Sequence, residues 1–381
     1  MMVGQFPAFS ETFIVSKFLG LMARGWDVQV ICNRSDPAQW ELFPQLQPRS
    51  EIQSRVHVKA DRDAVLKTLK ALQPDIIHFE FGRLAHGHMN LRDLVGCRVV
   101  VSFRGSDLKV FRLEGPDCYK EVWDGADALH LCSQDLWEHA QRRGCPSEKL
   151  HAVILGGIDK LFFDSINRRR ADIVGIPERP MRILSVGRLH WVKGYEYALH
   201  AVRLLVNQGV RCEYRIIGDE DYRQAVIFTV HDLHLENMVT LLGVQPRSEV
   251  KNSMLWADVF LHAAVSEGAC NAVLEAQAMT LPVVCTDAGG NPEIVINMET
   301  GFIVPRRDPH VLAEKLYVLS QNAELRQRMG ETGRRWVETR FRLEDQISRF
   351  DSLYRQILEL PSKPQTGSSE VSTSHGGNRK I

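Results

Sequence analysis

The sequence predicts an α/β protein made of two parallel-sheet domains, and three observations carry that expectation. Short apolar runs alternate with helical patterns along nearly the whole chain, the signature of βαβ units. A glycine-bearing, basic and polar stretch over 156–180 interrupts the alternation and reads as a linker. Beyond it the pattern restarts with MRILSVG and continues through CEYRIIG, MVTLLG, DVFLHAA, LPVVCT and TGFIVP. A chain of 381 residues, 44% apolar and 25% charged, has material for two globular units of about 150 to 200 residues each.

In the first block, 1–158, strands are expected at 28–32, 56–58, 75–79, 98–103, 128–132 and 150–154, with helices between them. The helix over 11–24 places Ile14, Phe18, Leu21 and Met22 on one face. Only Met1, Met2 and Val3 precede Gly4, so the first strand is short for a central parallel strand, and the natural start is expected further upstream. The second block spans 176–340. Residues 343–360 then carry Ile347, Phe350, Leu353, Tyr354, Ile357 and Leu358 at helical spacing, an apolar stripe that must be buried somewhere. The Ser, Gly and Pro-rich tail 361–381 is expected to be disordered.

Composition narrows the function. Lys plus Arg and Asp plus Glu both total 47, so the chain lacks the basic footprint of a nucleic-acid binder. The Arg168, Arg169 and Arg170 cluster reads as part of a solvated linker. Eight cysteines lie scattered without C-x-x-C or metal-ligand spacing, which fits a reducing cytosol. No apolar run reaches the roughly 18 residues of a membrane span, and the composition neither demands nor forbids peripheral membrane contact.

Three motifs carry chemistry. In VSEGACNAVLEAQAM, Glu267 follows an apolar strand and Glu275 falls in the opening turn of a helix that Asn271 would cap. Both acids then sit at the carboxyl edge of a sheet, where ligands bind and a helix N-terminus favours phosphate. Two carboxylates there suit hydroxyl-rich groups attached to a phosphate. In ILSVGRLHWVKG, Arg188 follows another strand, and Lys193 precedes the next helix. A planar fork and a compact ammonium suit a diphosphate, while Gly187 and Gly194 allow close backbone approach. In TDAGGNPEIV, Gly289 and Gly290 precede Asn291 and Pro292, a helix start where backbone N–H groups can meet a phosphate or sugar oxygen. Each motif alone has a commonplace reading: a solvated acid, a surface cation, a tight turn.

Taken in order and spacing, VGRLHWVKG, RIIGDEDYR, SEGACNAVLEA, PVVCTDAGGNPEIV and TGFIVP resemble the retaining glycosyltransferases of family GT4, which have the GT-B fold. FPAFSETFI, PDIIHFEFG, SFRGSDL and LGGID resemble the acceptor domain of bacterial exopolysaccharide and lipopolysaccharide transferases, so the likeness covers about residues 3–360. It implies two Rossmann-like domains facing across a cleft, with the last helix crossing back to the first domain. It further implies that Arg188 and Lys193 grip the donor diphosphate, that Glu267 lies against the donor sugar and that Glu275 holds the ribose. Gly268, Ala269, Cys270 and Asn271 would complete the pocket with Gly289 and Gly290, and backbone around Gly218, Asp219, Gly243 and Val244 would meet the base. The partners implied are a nucleotide-sugar donor and a glycan or lipid-linked acceptor, with no metal and no other cofactor.

One departure concerns the first block. Related transferases read H-G-x-D where this chain has Arg104, Gly105, Ser106 and Asp107. Arginine is no base near neutral pH, but it can donate hydrogen bonds to a sugar or phosphate, or pair with Asp107 or another acid. Asp219, Glu220 and Asp221 read as a turn and not as a metal-binding D-x-D. His86 and His88 lack a companion acid and read as loop residues, and His78 reads as a core or crevice histidine. Two rival classes stand beside the transferase: a nucleotide-sugar 2-epimerase of the same architecture and a non-catalytic nucleotide-sugar binding protein. Domain closure is expected to hinge near 156–176 and 338–343.

Overall fold

The computed structural model describes residues 1–113, 115, 117–163, 173–361 and 379–381. Two sheets, each parallel at every pairing, account for the alternation in the sequence. The first comprises β1 (Met2–Gln5), β2 (Val30–Arg34), β3 (Val56–Val58), β4 (Ile76–Phe79), β5 (Arg98–Phe103), β6 (Ala128–Leu131) and β7 (His151–Val153), in the order β3-β2-β1-β4-β5-β6-β7. The second comprises β8 (Met181–Val186), β9 (Cys212–Ile217), β10 (Val239–Gly243), β11 (Val259–His262), β12 (Val283–Thr286) and β13 (Gly301–Val304), in the order β10-β9-β8-β11-β12-β13. β4, β6, β11 and β12 are buried at every position, as continuous apolar strands covered by helices on both faces should be.

Strand order reverses between β1 and β4 in the first sheet and between β8 and β11 in the second. At such a switch point the connections leave toward opposite faces, and the crevice between them receives ligands. The segments after β8 and β11 carry Arg188, Lys193 and Glu267. Chain order therefore explains why motifs far apart in sequence meet.

The helix Leu343–Glu359 buries Ile347, Phe350, Leu353, Tyr354 and Ile357 in the same core as Ile14, Val15, Phe18 and Leu21 of the helix Thr12–Met22. The two helices approach so closely that a Cβ on Gly20 would meet Ile347 Cγ1 at 2.6 Å. Trp26 Nε1 donates to Asp351 Oδ1 at 2.8 Å. His78 is a core residue, with ring nitrogens 2.5 Å from the Tyr354 hydroxyl and 2.7 Å from Ser102 Oγ. The two segments that cross between the sheets touch: Ile158 N–H donates to Phe341 O at 2.8 Å, and Leu343 N–H donates to Ile158 O at 3.3 Å.

Several expectations need correction. Asn271 opens the helix Asn271–Ala278 as its first residue and makes no cap, since Cys270 holds the capping position. Asn291 is likewise inside Asn291–Ile294, buried, with its side-chain amide donating to Thr286 O at 3.1 Å. The tail is ordered at its end. Asp27, Gln29 and Asp75 donate backbone N–H bonds to Arg379, Ile381 and Lys380 at 3.0, 2.9 and 3.0 Å, and Ile381 is buried. The reason is the short β1, beside which these amides would otherwise lack partners. Residues 362–378 and the Arg168–Arg170 cluster lie outside the described residues.

Candidate active site

The wall that the resemblance assigns to the donor grows from the ends of β8 and β11. After Gly187 and Arg188 the chain makes the 3-10 turn Trp191–Lys193, capped by the His190 ring, which accepts from Val192 N–H at 3.3 Å. Gly194, at φ +64°, ends it, and a Cβ there would lie 2.1 Å from Ala263 O. Val265 N–H donates to Val192 O at 2.8 Å, so the two loops are tied together. The result is a fixed contact between Lys193 Nζ and Glu267 Oε2 at 2.5 Å.

His262, at the end of β11, brings Nε2 to 3.3 Å from the same carboxylate oxygen. Burial would raise the Glu267 carboxyl, but Lys193 and His262 hold it well below the usual carboxylate range. Burial would likewise depress His262, yet Cys270 and Glu267 raise it to about 9. His262, Glu267 and Cys270 have ligand atoms within 4.8 Å of one another, the one grouping among the described residues that would suit a metal ion. The Lys193 ammonium already on Glu267 opposes a cation there.

Arg188 and Glu275 complete this wall, each with a partner. Arg188 Nη1 lies 2.7 Å from Glu220 Oε1. Glu275 Oε1 lies 3.8 Å from Arg247 Nη2, and Arg247 also meets Asp159 Oδ2 at 3.2 Å. Burial pushes the Glu275 carboxyl up to about 7 against the pull of Arg247.

The wall that the resemblance assigns to the acceptor belongs to the first sheet. Arg104 directs its guanidinium away from Asp107: Nη2 lies 2.6 Å from Glu80 Oε2, Nε donates to Glu80 O at 3.1 Å, and Cζ sits 4.2 Å from the Phe13 ring centre. The acid that Arg104 pairs with is Glu80 and not Asp107, and the residue still lines the cleft. Asp107 instead accepts from Arg104 N–H at 2.9 Å. Glu80 is fully buried and also pairs with the buried Lys17.

Between the walls runs a cleft of about 1450 Å³. That exceeds the usual 300–1,000 Å³ of a small-molecule site and leaves room for two substrates. Its lining includes Arg104, Arg188, Lys193, Gly218 and Val244, together with Glu267, Gly268, Ala269, Cys270, Asn271 and Glu275. Gly289 and Gly290 are placed elsewhere. A Cβ on Gly289 would lie 1.9 Å from Glu267 O, and one on Gly290 would lie 2.3 Å from Gly268 O, so the pair supports the Glu267 loop from behind. Gly268 faces the first domain, where a Cβ would meet Arg104 O at 2.4 Å. Other cross-cleft contacts are Lys109 Nζ on Glu267 O at 3.2 Å and the Glu293 carboxylate accepting from Gln134 and Asp135 N–H at 2.8 and 3.0 Å. Glu293 thus caps a helix of the opposite domain.

Sequence reasoning passed over Arg247 and His262, read Glu220 only as part of a turn and took Glu11 only as a helix start. Glu220 had a local signal, since it stands two residues after the strand-ending Gly218. The others are brought in by tertiary structure alone.

Two parallel-sheet domains across a polar cleft, with the last helix returned to the first domain, define the GT-B class of glycosyltransferase. Residues 11–156 match the family described as Glycosyl transferase 4-like domain, and residues 167–336 match Glycosyl transferases group 1. The chain is 32% identical to the amylovoran biosynthesis glycosyltransferase AmsK of Erwinia amylovora over 75% of its own length and 69% of that protein. It is 28% identical, over 83% of its length and 89% of the other, to WcaL of Escherichia coli K12, named for colanic acid biosynthesis. HepE of Anabaena, solved with UDP and glucose, superposes with a TM-score of 0.76 at 15% identity, covering 93% of this chain and 99% of that one. The chain belongs to the GT4-like, group 1 glycosyltransferases.

Proposed function

We propose that this glycosyltransferase moves a hexose from a nucleoside diphosphate sugar to a glycan or lipid-linked acceptor, with retention at the anomeric carbon and without a metal, in the assembly of an exopolysaccharide. The observation that carries the reading is the Lys193–Glu267 contact at the switch point of the second sheet, with Arg188 on the same rim. Transfer breaks the bond from the anomeric carbon to the diphosphate oxygen, and the electron pair leaves with the diphosphate. Arg188, Lys193 and the N-terminus of Asn271–Ala278 offer positive charge where it accumulates. The Glu267 carboxylate, kept ionised, faces the oxocarbenium-like sugar. The acceptor oxygen bonds on the face the diphosphate leaves, and its proton passes to a diphosphate oxygen. Glu275 would accept from the ribose hydroxyls.

An acceptor in exopolysaccharide assembly is suggested by the names of AmsK and WcaL, and a UDP-sugar by HepE. No helix among the described residues is long and apolar enough to cross a membrane; on our reading a lipid-linked acceptor is met by peripheral contact. The test is a thermal-shift screen against UDP, GDP, ADP and their hexose conjugates in EDTA, followed by NMR of the product's anomeric centre. One nucleotide should raise the melting temperature selectively. No shift with any of them, or an inverted anomeric centre, would overturn the proposal.

A further inference from the structure

The first sheet has a switch point of its own, between β1 and β4, and one carboxylate there is left without a partner. Glu11 lies at the end of the loop after β1, next to the helix Thr12–Met22, yet its side chain makes no cap to that helix. Its Oε2 is buried and finds no hydrogen-bond partner, although the residue lines the cleft. A buried carboxylate oxygen left unmatched is costly, so its retention calls for an explanation. The charges that act on Glu11 come from three directions: Arg104 after β5, Arg83 after β4, and Arg188 of the opposite domain. Glu11 and Arg188 line the same cleft from opposite domains.

A second observation points the same way. Asp107, after β5, is 1% exposed and lines the same cleft; Oδ2 is held by Arg104 N–H, the backbone N–H of Arg83 also acts on the carboxylate, and Oδ1 makes no full hydrogen bond. Arg83 and Arg104 are the arginines that act on it too, so the two carboxylates converge on one pair of guanidinium groups. On the donor side Glu220, Glu267 and Glu275 each have a cation within 3.8 Å. On the acceptor side Glu11 and Asp107 feel Arg83 and Arg104 without a direct ion pair among the described residues.

Resting on the glycosyltransfer reading above, we infer that Glu11 is the acceptor-binding carboxylate, accepting a hydrogen bond from an acceptor hydroxyl next to the one that receives the sugar and so holding the reacting hydroxyl toward the donor, with Asp107 binding a further acceptor hydroxyl. Hydroxyl donors are what two unmatched carboxylate oxygens require. A neutral, polyhydroxylated acceptor end fits, and the arginines around it keep the carboxylates from repelling the leaving diphosphate. Burial pushes Glu11 up to about 7, with Arg104, Arg83 and Arg188 pulling down and Glu80 pushing up.

The experiment compares wild-type full-length protein with Glu11→Gln and Glu11→Asp. The probes are n-octyl glucoside, galactoside and mannoside, at a fixed concentration of the nucleotide sugar that the thermal-shift screen selects. Glu11→Gln should leave the protein folded, with a melting temperature no lower than that of wild type, and nucleoside diphosphate affinity and hydrolysis of the donor by water within threefold of wild type. Transfer efficiency on the octyl glycosides should fall at least 30-fold, through a higher acceptor KM, and Glu11→Asp should recover part of it. Binding of the same glycosides, followed by NMR line broadening with the nucleoside diphosphate present, reads the subsite without turnover. Wild type should bind and Glu11→Gln should not. Equal binding by both proteins or by neither, or an unchanged acceptor KM, overturns the inference. Loss of nucleoside diphosphate binding by wild type would instead strike the donor reading.

Discussion

The two walls of the cleft handle charge in opposite ways. On the donor side, Lys193 meets Glu267, Arg188 meets Glu220 and Arg247 meets Glu275, each at the rim where ligand would bind. On the acceptor side, the matched charges centre on a carboxylate outside the cleft lining: Lys17 and Arg104 share the fully buried Glu80, while Glu11 and Asp107, which line the cleft, each keep an oxygen without a full hydrogen bond. The difference teaches that one wall is prepared for a charged ligand whose phosphates can take over pairs already formed. The other is anchored by a buried ionic cluster and offers acceptor atoms to a neutral one.

Breaking the anchor should have the largest effect. Replacing Glu80 with Gln leaves Lys17 as a buried charge short of its partner, and removing one member of such a pair costs on the order of 3–5 kcal/mol. Urea unfolding would read it, and Lys17→Met combined with Glu80→Gln should cost less than the sum of the single changes. Additive costs would mean the cluster is not one unit. On the donor wall, Lys193→Ala should weaken nucleoside diphosphate binding by on the order of 1.5–3 kcal/mol in a calorimetric titration. Unchanged affinity would remove Lys193 from the diphosphate site and erase the contrast between the walls.

How much of this is legible in the sequence follows the same division. The donor wall is readable because its residues lie in two short segments, 187–194 and 267–275, whose strands become neighbours through one reversal of order. Spacing within a segment then places side chains almost without tertiary knowledge. The acceptor wall draws single residues from the ends of β1, β4 and β5, and no local spacing marks Glu11, Glu80 and Arg104 as neighbours. Helix starts slip by one residue at Asn271 and Asn291, since a side chain able to cap can equally be drawn into tertiary contacts, as the Asn291 amide is on Thr286 O. The glycine pair at 289 and 290 does serve close approach, but what approaches is the Glu267 loop backbone. The ordered end of the tail escapes a reading by composition, which says nothing of open backbone amides beside a short strand.

Titration sharpens the comparison next. Glu275 is raised to about 7 from 4.5 because burial penalises its charged form. A carboxyl whose folded value is raised contributes its full stability below the unfolded value and loses it as pH rises through the folded one. Between about pH 4.5 and 7 the protein should therefore lose stability, and Glu275→Gln should remove that loss. At pH 8 the variant should gain roughly 1–2 kcal/mol. A full gain, at about 1.36 kcal/mol for each pH unit separating the folded and unfolded values, would be larger, but Arg247 is left with Asp159 alone. At about pH 4.5 the gain should vanish. The same variant should bind nucleotide more weakly, a trade of stability for ligand contact that Glu11→Gln, on the acceptor wall, should not show toward nucleotide. Equal melting curves at pH 8 would place Glu275 in ordinary solvent.

The smallest effect tests the joint that holds both walls in register. Trp26 donates to Asp351 of the returning helix at 2.8 Å, and Asp351 is also held by Arg355 at 3.0 Å. Trp26→Phe keeps most of the apolar contact with Tyr354 and deletes the donor. Since Asp351 keeps Arg355, the loss should be close to one neutral hydrogen bond, about 0.5–1.5 kcal/mol. The helix carries the second crossing segment back from the donor domain, so the effect should appear as a lower melting temperature with nucleotide affinity unchanged. A fall in nucleotide affinity without loss of stability would mean that the returning helix sets the position of the donor wall as well as sealing the first core.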